Sequence, residues 1–261
     1  MSLLVIEKLS KKFGGIDAVN DVSMVVNDGQ IFAIIGPNGA GKTTVFNMIT
    51  GMISPTAGRI VFKDQELQNL PSYIICQKGI SRTFQNVRLF KNMTVLENVL
   101  VGFHTHTKAS VLGSIIRSKQ TRKEWKAVNE SAIDLLRQYD LHKFKDYKAR
   151  NLPYGYQRWL EIVRALATKP KLICLDEPAA GLNIDETKVL MERILLLRNE
   201  EGVTVLIIEH DMKLVMNISD HVVALDHGKK IAEGNPEEIR KNDDVIEAYL
   251  GKGYKKNENN A

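Results

Sequence analysis

Gly36-Pro37-Asn38-Gly39-Ala40-Gly41-Lys42-Thr43 follows the apolar run Ile31 to Ile35 and precedes the helical pattern of Val45, Phe46, Met48 and Ile49. No other feature constrains the chain so tightly. A glycine-rich loop between a strand and a helix lets backbone N–H groups curl toward phosphate, and the helix N-terminus adds partial positive charge. That context identifies a P-loop rather than a chance glycine-rich turn. Gly36 to Lys42, with Thr43 and Thr44, are the candidate nucleotide-binding residues. Lys42 is expected on the β- and γ-phosphates, and the Thr43 hydroxyl stands where Mg2+ is ligated. The loop reads only phosphates, so ATP and GTP both remain open.

A second apolar run, Leu172 to Leu175, delivers Asp176 and Glu177 at its end, where an open parallel sheet places its ligands. Two unpaired carboxylates are costly to desolvate, so packing does not explain them. Asp176 is expected to hold Mg2+ through a water, and Glu177 to polarise the attacking water as general base. A third run, Val203 to Ile208, ends at Glu209-His210-Asp211. Alone, this histidine would read as a core or helix-start residue and Asp211 as a helix cap. Beside the other two motifs, His210 is a candidate contact to the γ-phosphate.

Further short apolar runs at Leu3 to Leu9, Val22 to Val26, Arg59 to Phe62 and Val222 to Leu225 read as strands. Strands alternating with helical patterns predict a mainly parallel α/β sheet. A hairpin-like pair joined through Asn27, Asp28 and Gly29 predicts an added antiparallel layer. Between Thr94 and Leu166 strand signals give way to helical ones, opening with Thr94 and Glu97 at capping-box spacing. The expected division is an α/β core over about residues 1–86 and 167–250, a helical subdomain over about 87–166, and a loose tail over 252–261. An apolar patch at Val111, Leu112, Ile115 and Ile116 either packs inward or meets a partner.

The 261 residues suffice for one compact domain with a modest insertion, and 44% hydrophobic with 26% charged residues is an ordinary globular balance. The net charge of +5 fits nucleic acid, an anionic membrane surface or a solvated basic face. The two cysteines, Cys76 and Cys174, are far apart and read as reduced thiols, as in cytoplasm. No run of about 18 apolar residues occurs, so no span is expected. Any membrane role then comes through partners.

Gln85, after Arg82-Thr83-Phe84, and Leu152-Pro153-Tyr154-Gly155-Tyr156-Gln157, before the helix Leu160 to Leu166, complete an ordered set of motifs. The set resembles the ABC ATPase family from about Leu3 to Leu250. The resemblance implies a P-loop NTPase core with an antiparallel β layer and an inserted helical subdomain, ATP with Mg2+ as ligands, and hydrolysis coupled to transport. It also implies a head-to-tail dimer in which each P-loop faces the partner's signature segment. By position, Phe13 matches the aromatic that stacks on adenine, against the alternative of a core-facing residue. Gln85 matches the residue that reaches Mg2+ and the attacking water.

The family signature commonly reads Leu-Ser-Gly-Gly-Gln, whereas Pro153, Tyr154 and Tyr156 stand here. Pro153 has no hydroxyl and no backbone N–H, so one contact to a partner's γ-phosphate cannot form. Gly155 and a helix starting near Tyr156 could still offer N–H groups and the helix dipole. Asn183 closes the turn after the acids where many relatives carry aspartate. These departures resemble the branch that serves branched-chain amino-acid uptake. That resemblance implies a homodimer or a heterodimer with a related ATPase, two membrane-spanning permeases, an external solute-binding protein, and a place on the inner face of the cell membrane. A lipid or lipopolysaccharide exporter, and an ABC ATPase acting on nucleic acid or ribosomes, are the competing readings. The exporters usually keep Ser-Gly-Gly, and the latter carry coiled-coil arms or two cassettes, so no nucleic-acid partner is expected.

Overall fold

The computed structural model describes residues 1–106 and 119–250. The apolar patch at Val111 to Ile116 and the tail lie outside the described residues.

Six strands form the central sheet in the order β10-β9-β3-β8-β7-β6. They are β3 (Ile31–Ile35), β6 (Ile80–Arg82), β7 (Leu172–Asp176), β8 (Thr204–Ile208), β9 (His221–Asp226) and the edge strand β10 (Lys229–Gly234). All pairs are parallel except β9 with β10. Every residue of β3, β7 and β8 is buried, as expected of parallel strands covered on both faces.

Alternate side chains divide two cores between those faces. Ile31, Ala33, Ile35, Ile173, Leu175, Val205 and Ile207 point into one, with helices α3 (Val95–Phe103), α5 (Tyr154–Leu166), α6 (Ile184–Asn199) and α7 (Met212–Ile218). Between α3 and α5 lies α4 (Lys119–Gln138). Phe32, Ile34, Cys174, Leu206 and Ile208 point into the other, with α1 (Lys42–Ile49) and a second sheet. That sheet is antiparallel, in the order β2-β1-β4-β5. Its strands are β1 (Ser2–Phe13), β2 (Ile16–Asn27), β4 (Ala57–Phe62) and β5 (Gln65–Glu66). The described α-helices are completed by α2 (Ser72–Lys78), α8 (Pro236–Arg240) and α9 (Asp243–Leu250).

The antiparallel layer expected from sequence is present, but it is built differently. The hairpin joins β1 to β2 through Gly14 and Gly15, not β2 to β3 through Asn27-Asp28-Gly29. β3 is flanked by β8 and β9, so the latter turn carries the chain from one sheet to the other. It is tied down by Gly29 N–H donating to Thr204 Oγ1 at 2.9 Å. Between β6 and β7 the described segments contain helices and no named strand, and the Thr94–Glu97 capping box opens α3.

The register levels the ends of four neighbouring strands. Ile34 pairs with Ile208, Asp176 with Ile208, and Arg82 with Cys174. The segments leaving β3, β6, β7 and β8 therefore emerge along one edge.

Candidate functional site

Along that edge the P-loop leaves β3 and feeds α1. Gly36 and Gly41 allow the curl. Gly41, the residue before α1, has φ 96°, and a Cβ there would lie 2.5 Å from Ala18 O. Lys42 is folded back into the loop, its Nζ donating to Gly36 O at 2.7 Å and Pro37 O at 2.9 Å. Burial lowers its pKa, while Glu177 and Asp176 pull the other way.

A cavity of about 260 Å3 is lined by Asn38, Gly39, Ala40, Gly41, Lys42, Thr43 and Thr44 together with Gln85, Glu177 and His210. Residues from four separate strand ends thus share one space. Glu177 Oε1 is 2.6 Å from His210 Nε2, and Glu177 Oε2 accepts Gln85 Nε2 at 2.8 Å. The candidate base, γ-phosphate contact and glutamine form one hydrogen-bonded cluster.

Next to it, Thr43, Gln85 and Asp176 line a second cavity of about 360 Å3. Asp176 is 2% exposed; its Oδ2 accepts Arg82 Nη2 at 2.7 Å, and its buried Oδ1 has no hydrogen-bond partner. A hydroxyl, an amide and one carboxylate with an oxygen to spare suit Mg2+, which takes few protein oxygens beside water and phosphate. No cluster of three His, Cys, Asp or Glu fit to hold a metal by itself occurs among the described residues.

The remaining sequence candidates lie apart from this cluster. Phe13 ends β1 as a residue 49% exposed, with Lys11 Nζ over its ring, which overturns the core-facing alternative. Pro153 and Tyr154 are exposed, and Gly155 and Tyr156 line a different cavity, beside α6. The helix there starts at Tyr154 rather than near Tyr156. Pro153 precedes it with φ −52° and ψ 151° as the flanking residue, where a missing N–H costs the helix nothing.

Three charged residues of the site have roles that the sequence motifs did not assign. Arg82, which also donates to Asn47 Oδ1 at 2.6 Å, pairs with Asp176. Glu209 is 3% exposed and accepts Ala179 N–H at 2.7 Å and His210 N–H at 3.1 Å, while burial raises its pKa. It joins the turn after the acids to the candidate γ-phosphate histidine. Arg158, 1% exposed on α5, donates to Phe84 O at 2.8 Å, Gln85 O at 2.7 Å and Ala180 O at 3.4 Å. A charge on the buried stripe of an amphipathic helix was the available signal.

Residues 19–180 match the family model described as ABC transporter, and residues 229–255 match one described as branched-chain amino acid ATP-binding cassette transporter. The chain is 49% identical to the high-affinity branched-chain amino acid transport ATP-binding protein BraF of Pseudomonas aeruginosa, over 95% of this chain and 98% of that one. It is 47% identical to LivG of Escherichia coli K12, which carries the same description, over the same shares. A solved nucleotide-free ATP-binding cassette from an ABC transporter superposes with a TM-score of 0.83 at 38% identity, covering 96% of this chain and 100% of that one. The ADP conformation of an ABC transporter cassette gives 0.84, also at 38% identity, covering 96% and 99%.

Proposed function

The chain belongs to the ABC transporter family as an ATP-hydrolysing subunit, and from that premise we propose that it energises an importer of branched-chain amino acids. The observation that carries the ATPase reading is the single cavity shared by the P-loop, Gln85, Glu177 and His210. The solute class rests on the relatives' names and the match of residues 229–255.

In the proposed reaction ATP lies along the P-loop, with its adenine against the exposed Phe13 ring. Lys42 leaves the carbonyls of Gly36 and Pro37 for the β- and γ-phosphates. Glu177 accepts a proton from water as the water oxygen bonds to the γ-phosphorus and the bond to the β,γ-bridging oxygen breaks, giving ADP and phosphate. His210 and Gln85 orient the Glu177 carboxylate. Mg2+, held by Thr43, Asp176 and Gln85, would neutralise charge on the phosphate oxygens.

The exposed segment Pro153 to Tyr156 is proposed to meet the nucleotide of a second ATPase chain, either a copy or a related subunit. Its contact comes from the N–H groups at the start of α5 rather than a serine hydroxyl. The helices between residues 87 and 166 act as a subdomain that follows Gln85. A cavity of about 410 Å3 between Gln85's neighbours and α3, with Met52, Phe90 and Val101 partly exposed at it, supports docking of a permease segment there. No helix among the described residues is long and apolar enough to cross a membrane; in this proposal the permeases hold the chain at the inner face.

Affinity purification of the tagged chain from mild-detergent extracts of its native cells tests the assembly. Two multi-spanning permeases, a second short ATPase and an amino-acid-binding protein are the expected companions. Lipid-export components, ribosomes or nucleic-acid proteins in their place would overturn the transport assignment.

A further inference from the structure

Gly36 is the first residue past β3, where the ladder to β9 ends with Ile35 beside Ala224. Its N–H is thus the first amide of the P-loop beyond that ladder, and the residue is buried. Buried amides require an acceptor. This one finds it at the far end of the chain: Gly36 N–H donates to the Tyr249 hydroxyl on α9 at 2.8 Å. On another side Gly36 is pressed against β9, since a Cβ there would lie 2.1 Å from Leu225 O. Its carbonyl accepts the Lys42 ammonium at 2.7 Å. One residue therefore carries the Tyr249 hydroxyl on its N–H and the phosphate-binding lysine on its C=O.

α9 is itself anchored. Val245 is 4% exposed within the helical-face core, and the Tyr249 ring packs against the same cluster. Burial pushes the Tyr249 pKa up from the ordinary tyrosine value.

We propose that Tyr249 is a positioning residue for nucleotide binding: through Gly36 it sets the first turn of the P-loop and the place of the Lys42 ammonium, making the C-terminal helix part of the phosphate cradle. The proposal rests on the reading of Gly36 to Thr44 as the nucleotide site. Removing the hydroxyl while keeping the ring frees the Gly36 amide to seek another acceptor, so the loop must be reordered at the moment of binding. The cost then appears in affinity for phosphate rather than in the chemical step.

The test is calorimetric binding of ATP and of ADP to the full chain, with thermal melting without nucleotide, for the wild type and for Tyr249→Phe, Val245→Ala and Lys42→Ala. Tyr249→Phe should bind both nucleotides roughly threefold to tenfold more weakly, the fold-change of one neutral hydrogen bond, with kcat at saturating ATP within about twofold of wild type. Val245→Ala, which loosens the packing of α9 and keeps the hydroxyl, should lower the melting temperature and weaken ATP binding less than Tyr249→Phe does. The proposal is overturned if Tyr249→Phe binds ATP as tightly as wild type, even with a lower melting temperature, or if Val245→Ala weakens binding equally. Lost ATP binding in Lys42→Ala beside unchanged binding in Tyr249→Phe would overturn the tyrosine's role and leave the nucleotide site standing. Full ATP binding in Lys42→Ala would overturn the nucleotide site, and this proposal with it.

Discussion

Glu177 sits at φ 47°, a left-handed conformation that non-glycine residues seldom adopt. Its N–H bond to Ile208 O at 2.9 Å and its carboxylate bonds to His210 and Gln85 hold it there. Such strain is sustained where the surroundings over-determine one geometry. Glu177→Gln keeps the size and removes the proton acceptor. Hydrolysis should fall about a hundredfold or more while ATP still binds; unchanged phosphate release in a steady-state assay would remove Glu177 as the base. Arg82 and Asp176 are a buried pair, with side chains 7% and 3% exposed. Arg82→Met strands the carboxylate without its cation and should cost about 3–5 kcal/mol in urea unfolding. Asp176 and Glu177 were legible as adjacent acids ending an apolar run. Arg82 was not, because its partner is 94 residues away on the neighbouring strand.

At the scale of elements, helix starts were written locally and short strands were not. The Thr94–Glu97 box stood in the sequence and opens α3. A second box, unremarked in the sequence, opens α6: Asn183 Oδ1 accepts Glu186 N–H at 2.9 Å and Glu186 Oε2 accepts Asn183 N–H at 3.0 Å. This gives Asn183 a local role at the position where many relatives carry aspartate. Asn183→Ala should lower unfolding free energy by about 1 kcal/mol, read from denaturant midpoints, whereas Asn183→Asp should retain the cap. β6 has only three residues, two of them Ser81 and Arg82, and β10 reads Lys-Lys-Ile-Ala-Glu-Gly. Neither shows the apolar run that marks a buried strand. Both lie at sheet edges, where one neighbour suffices and no such run is required.

Across the whole molecule, burial also acts on groups that the proposed chemistry does not use. Cys174 lies inside β7, and burial pushes its thiol up to about 12 from 9.0. Burial, with a hydrogen bond to Glu201, also raises the Tyr139 hydroxyl. Folding therefore retains protons that the unfolded chain releases. The contribution is fully present below pH 9 and is lost as pH rises through about 12. Urea midpoints should accordingly decline between pH 8 and pH 11, and Cys174 should resist alkylation at pH 8 until the chain is unfolded.

What the sequence determined by itself was local chemistry. It placed the glycine pattern of the loop, the acids ending a strand and the capping residues, because a few neighbouring residues suffice to create a turn, a strand end or a cap. Tertiary structure decided what those pieces meet. The common register of β3, β6, β7 and β8 brings Lys42, Gln85, Glu177 and His210 to one cavity. Arg158 finds its carbonyls, and Tyr249 finds Gly36, only after the chain has returned across its length. Hydrogen bonds between distant residues depend on atoms a few ångströms apart in space, and spacing along the chain carries no record of that distance.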